Sequence, residues 1–169
     1  MARSGRKSLI LVQDVTKTLG DGGELIGDLS EHSHSIENEL LDEQTKFGRI
    51  LDYGNTSESF EITAYRDKAD KGQDAVATAL RNKRQIKIWE VDRELNANGK
   101  HDAIFAYALV ESCNVDSSGD GLEELSSTLQ VIGESQPGEL DPFPPEMLTF
   151  GQYGFEAPGE TGAEPAAGA

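Results

Sequence analysis

The chain has 169 residues and a net charge of −16, enough length for one domain that buries roughly 70% of the surface its unfolded form exposes. Its only cysteine, Cys113, excludes an internal disulfide and, with no Cys/His cluster near it, structural zinc. No lysine or arginine follows Lys100 but 13 acidic residues do, whereas the first hundred residues balance 15 basic against 18 acidic groups; an acidic surface of this kind repels nucleic acid and anionic membrane, and leaves a near-neutral half to meet the acidic half of another copy.

MARSGRK followed by SLILV starts like a signal peptide, but Gln13 and Asp14 break the apolar run early, so the expected product is a soluble acidic protein of the cytosol with no membrane span. Ser8 to Val12 predicts a first strand, and Leu19 to Gly23 a turn into a second strand near Glu24 to Leu29. Residues 31–48 are long, polar and mostly unpatterned, which reads as an arm loop reaching for a partner. Strand signals return at Arg49 to Tyr53 and at Ser59 to Tyr65, where Phe60, Ile62 and Ala64 alternate with Ser59, Glu61, Thr63 and Tyr65. Between Asp67 and Arg84 the period becomes helical through Ala75, Val76, Ala79 and Leu80, with acidic residues early and basic ones late.

Strands then resume at Gln85 to Val91, Ala103 to Val115 and Leu122 to Ile132. In the last, Leu125, Leu129 and Val131 share one parity and Glu124, Ser126, Thr128 and Gln130 the other. Pro137-Gly138 ends it, and residues 137–156 form a carboxyl extension whose prolines bar it from the middle of a sheet. Residues 157–169 lack large apolar side chains and read as a disordered acidic tail. The elements make a mainly β fold with one α-helix in a single domain, residues 1–156.

No catalytic constellation stands out. His32 and His34 would share a face of a strand, but no third ligand has suggestive spacing. Asp116, Ser118, Asp120 and Gly121 resemble the opening of a calcium loop, yet Ser127 occupies the place of the bidentate glutamate, and a hairpin turn accounts for the same residues. His101 and Cys113 lie twelve residues apart along one strand-like run, roughly 40 Å, too far for a dyad. Trp89 reads as a core anchor, and Arg81, Lys83, Arg84 and Lys87 as helix-end charges, a phosphate site or a subunit contact. No metal, cofactor or enzymatic activity is expected.

The arm with Glu31-His32-Ser33 and Thr45-Lys46-Phe47-Gly48, the helix running into KIWEVD, the strand pair around Asn114 to Gly133 and the closing Gln152-Tyr153-Gly154-Phe155 come in a telling order. Together they resemble the major tail proteins of long-tailed phages, the lactococcal siphophage type, over about residues 5–156. The resemblance implies a β-sandwich or half-barrel with one flanking helix, and a structural virion protein whose hexameric rings stack into the tail tube through which DNA is ejected. It further implies assembly in the host cytoplasm, with the tail tip or initiator, tape measure and tail terminator proteins as partners, and DNA that passes without specific binding. Glu61 and Thr63, with Glu124, Ser126, Thr128 and Gln130, are candidates to line the lumen, or else they simply face solvent. His32, His34, Glu39, Asp42, Lys46 and Phe47 on the arm, with Phe150, Tyr153 and Phe155 on the extension, are candidates for contacts between rings or subunits. The rival reading is a monomeric β-sandwich binding module, with calcium assisting capture of carbohydrate.

Overall fold

A computed structural model describes residues 5–17 and 23–144. After a short 3-10 turn at Gly5–Lys7, the chain forms β1 (Ser8–Asp14), β2 (Glu24–Leu25), β3 (Leu29–Thr45), β4 (Gly48–Tyr65), α1 (Lys71–Arg81), β5 (Gln85–Leu95), β6 (His101–Asp116), β7 (Glu124–Val131) and β8 (Gln136–Leu140). All strand pairs are antiparallel, in the order β2-β1-β5-β6-β7-β4-β3, with β8 beside the first part of β6.

Alternation decides which face is buried. Ile10 and Val12 of β1, Phe60 and Ile62 of β4, Ile86 and Ile88 of β5, Ala106 and Ala108 of β6 and Leu129 of β7 share one core with Val76 and Ala79 of α1. Strands from opposite ends of the order meet in that core, so the sheet curls into a half-barrel, and α1 covers part of its concave face. The small alanines of β6 leave room for the helix to approach. Asp70 caps the helix, its Oδ1 accepting from the amides of Gly72 and Gln73 at 2.8 and 3.2 Å, while Oδ2 takes the amide of Gly27 at 2.7 Å. A Cβ on Gly72 would lie 2.6 Å from the Leu25 carbonyl oxygen, so the helix sits against β2 at a distance that only glycine allows.

Three expectations change. Residues 31–48 are no loop: 29–45 form a 17-residue strand paired with the whole of β4, so the arm is a β-hairpin. Its sequence hid this because most of the ribbon has solvent on both faces, which removes the apolar alternation that marks a half-buried strand. Arg49–Tyr53 and Ser59–Tyr65 are one 18-residue strand, the turn-like Gly54-Asn55 being absorbed as a bulge where the register shifts between Asn38 and Leu40. Pro137 does not end the sheet; it sits inside β8, an edge strand, where a missing amide is tolerated. The Leu19–Gly22 turn, the extension beyond residue 144 and the tail at 157–169 lie outside the described residues.

Candidate functional site

The six polar residues of β4 and β7 come together on the outer, convex face. Register sets Glu61 opposite Thr128 and Thr63 opposite Ser126, with Ser59–Gln130 before and Tyr65–Glu124 after. Neighbouring strands extend the rows: Ser33 and Glu31 of β3 stand opposite Glu61 and Thr63, and Ser112, Asn114 and Asp116 of β6 opposite Thr128, Ser126 and Glu124. Gln130 Nε2 donates to Glu111 Oε2 at 2.7 Å. Hydroxyls, amides and carboxylates thus form a continuous four-strand patch. Toward β5 the same face becomes aromatic, with Trp89 tilted on Phe105 at 5.2 Å, Phe105 edge-on to Tyr107 at 5.1 Å, and Lys87 Nζ 5.9 Å above the Tyr107 ring.

The arm projects past the core with its apolar side chains uncovered. Ile36, Leu40, Leu51 and Tyr53 are more than half exposed, Leu41 and Ile50 likewise, and Phe47 at the tip is fully exposed. Glu39, Asp42 and Lys46 are exposed on the same ribbon. Arg49 grips Asp42 through two bonds of 2.7 Å, which hold that carboxyl below its ordinary range. The tip is shaped by Thr45, whose hydroxyl accepts from the Phe47 amide at 3.2 Å and donates to the Gly48 carbonyl at 2.8 Å.

His32 and His34 do share a face, but it is the concave one. They are mostly buried at the base of the arm: His34 Nε2 bonds Glu58 Oε1, His32 Nε2 lies 3.4 Å from Glu90 Oε1, and the His34 ring stacks on Phe60 at 4.3 Å. Glu58 Oε2 also accepts the Ser135 amide at 2.9 Å. Burial would raise the Glu58 pKa, but the bonds from Ser135 and His34 outweigh it and hold the value below the ordinary one. The cluster ties β3, β4 and β5 to the connection before β8, a clasp across the curl that sequence spacing alone could not show. No group of three or more His, Cys, Asp or Glu among the described residues has the geometry to hold a metal ion.

The other motifs resolve as local structure. Ser118 accepts from Asp120 through its hydroxyl at 3.3 Å and from Gly121 through its carbonyl at 3.4 Å, in a turn between β6 and β7. Arg84 reaches Asp14 at 3.1 Å and Arg81 ends the helix, so with Lys87 on Tyr107 the basic residues do not form one anion cradle. Cys113 lines a groove beside α1, where burial raises its pKa despite Arg66 and Arg81 nearby. His101 and Cys113 stand at opposite ends of β6. Phe150, Tyr153 and Phe155 lie outside the described residues.

A curled sheet with one broad polar face and a ribbon of uncovered apolar side chains defines a subunit built for assembly, the class to which tube-forming structural proteins belong. Residues 2–137 match the family model of the phage tail tube protein, and the chain belongs to that family. It is 44% identical over 137 residues to tail tube protein gp17.1* of Bacillus phage SPP1, an alignment covering 80% of this chain and 52% of the relative. A putative tail protein of Staphylococcus phage phiMR11 is 30% identical over 126 residues, 73% of this chain and 66% of the relative. The aligned part thus spans about half and just under two thirds of these curated relatives. Among solved structures, the SPP1 tail tube matches with a TM-score of 0.79 and 35% identity over 96% of this chain and 99% of that one. The tail of an empty gene transfer agent particle, with C6 symmetry, shares the fold at a TM-score of 0.62 and 18% identity, over 80% of this chain and 98% of its own.

Proposed function

We propose that this protein forms hexameric rings that stack into the tail tube of a long-tailed phage, the conduit for DNA ejection. The observation that carries the reading is the uncovered arm: a two-stranded ribbon is marginal in water by itself, and one with Ile36, Leu40, Leu51, Tyr53 and Phe47 exposed needs a neighbouring copy to cover it. Its similarity to the SPP1 tail tube chain supports the same reading, and the C6 symmetry of the gene transfer agent tail supports six copies per ring.

In this arrangement Glu39, Asp42, Lys46 and Phe47 meet a neighbouring subunit, and Phe150, Tyr153 and Phe155 of the extension make further contacts. His32 and His34 position the arm from inside the chain. Glu61, Thr63, Glu124, Ser126, Thr128 and Gln130 line the lumen. DNA carries one negative charge per about 1.7 Å of axis, so an acidic wall repels it and lets it slide without adhering. Rings that repeat head to tail make an open-ended stack, so tape measure and terminator proteins set its length and a tip complex starts it, in the host cytoplasm. The tube is a structural element of the virion with no catalytic step.

Negative-stain microscopy of the concentrated protein, with and without the tail tip complex, tests the reading. Hollow rings or tubes are expected. Compact monomers of about 18 kDa under both conditions, with a melting temperature that rises on adding calcium or a glycan, would instead establish the binding-module reading. Deleting residues 37–45 should abolish tubes of normal length, and tubes that survive it would remove the arm from the contact.

A further inference from the structure

The groove beside α1 has an apolar floor and a basic rim. Val115 and Leu125, register partners on β6 and β7, share a cavity of about 320 Å³ with Cys113 and with Ala77 and Leu80 of the helix. Val115 is 41% exposed there, so the floor is open to whatever enters. Arg66, Lys68 and Arg81 stand around it, Arg66 being shared with Glu123 at 3.1 Å. Three aspartates lie on the same rim, but Asp67 accepts the Ala69 amide at 2.8 Å and Asp70 gives both oxygens to main-chain amides. The outward charge of the rim is therefore on balance positive, on a chain whose net charge is −16.

We propose that this groove receives Phe47, the arm tip of a second copy of the chain. The inference rests on the tube reading, in which the arm is a contact between subunits. Phe47 is fully exposed, and the Thr45 hydroxyl pins the main chain on both sides of it, so the ring is held out with little freedom left to lose on docking. From residue 36 to residue 53 the arm carries Glu37, Glu39, Asp42, Glu43 and Asp52 against only Lys46 and Arg49. A positive rim attracts that ribbon, whereas most of so acidic a surface repels it. The cavity is at the small end of binding clefts and suits one aromatic ring. An aromatic anchor in an apolar pocket, ringed by opposite charge, is the anatomy of a strong subunit contact.

A chain cannot fill its own groove. Phe47 immediately precedes β4 and Arg66 immediately follows it, and 18 extended residues set tip and groove on the order of 50 Å apart. The ring must therefore come from another molecule. A knob and its hole at opposite ends of one strand make a head-to-tail contact, which repeats from copy to copy.

Replacing Phe47 by the photoreactive p-benzoylphenylalanine tests the contact, with the altered chain doped as a minor fraction into wild-type protein so that wild-type chains carry assembly. Irradiated tubes should yield covalent dimers whose attachment maps by mass spectrometry to Leu80, Cys113 or Val115, and the same mixture kept dilute and unassembled should yield none. V115D, at a half-exposed position, should keep the circular dichroism of the wild type yet lower tube yield by about tenfold. Irradiated tubes with no attachment in the groove, or V115D tubes at wild-type yield, would overturn the inference and leave the tube reading standing. Wild-type chains that form neither rings nor tubes would overturn both.

Discussion

At the scale of single residues, buried carboxylates hold elements together through main-chain amides. Glu58 is the clearest case, since its two oxygens join the arm base, through His34, to the Ser135 amide. E58A strands a buried amide and an imidazole and should cost about 2–3 kcal/mol in urea unfolding at pH 7. Because its folded pKa lies below the ordinary value of 4.5, the contribution of the ionised group is present above that value and fades as the pH falls through the folded one. The gap in stability between wild type and E58Q should therefore be widest near neutrality and close as the carboxylate is protonated. Asp70 shifts the other way. Burial raises its pKa more than the three amide donors lower it, with Asp67 adding repulsion, so its ionisation detracts from stability as the pH rises from the ordinary value of 3.8 through the raised one. The amides still need acceptors on both oxygens: D70A should lose about 1–2 kcal/mol of stability, and D70N, whose NH2 group would face an amide donor in place of one oxygen, should recover only part of that, by the same unfolding measurement. The sequence displayed the helix start and the shared parity of His32 and His34. It did not display Glu58, because that residue acquires its role from Ser135, 77 positions away.

At the scale of elements, legibility followed burial. The outer parity of Glu61 and Thr63, and of Glu124 to Gln130, was readable because the opposite parity is apolar and enters the core. The arm was not, since a ribbon with solvent on both sides lacks that contrast. Its apolar residues consequently should matter for assembly and not for folding: the double substitution L40S/Y53S should leave the unfolding free energy of the free chain, from urea titration, within about 0.5 kcal/mol of wild type, while particle counts by microscopy show tube formation lost. The approach of α1 to β2 makes the reverse prediction. G72A forces a methyl group against the Leu25 carbonyl and should cost about 1–3 kcal/mol, seen as a lower thermal midpoint, with any chains that do fold still able to assemble.

At the scale of the whole molecule, the described part of the half without lysine or arginine forms β6, β7 and β8, flanked in the sheet by β5 and β4 of the other half, so the uneven charge visible in the sequence does not by itself divide lumen from contact. The polar patch is more sharply confined, with Glu31, Glu61, Asp116 and Glu124 on one convex face. If that face lines the tube, E61K/E124K should leave tube formation intact yet make the assembled tubes retain short DNA at low salt, with retention falling steeply as salt rises; tubes that bind no more DNA than wild type would place the patch elsewhere. The inner part of β4 seats Phe60 and Ile62 in the core and its outer part carries Tyr53 into the arm, with no break of the strand between them. The hairpin is therefore a lever and not a tether: a load applied at Phe47 reaches the core as torque, and stiffness along the arm is lowest at the bulge beside Gly54, where the ribbon can flex before the clasp of Glu58 and His34 takes the strain.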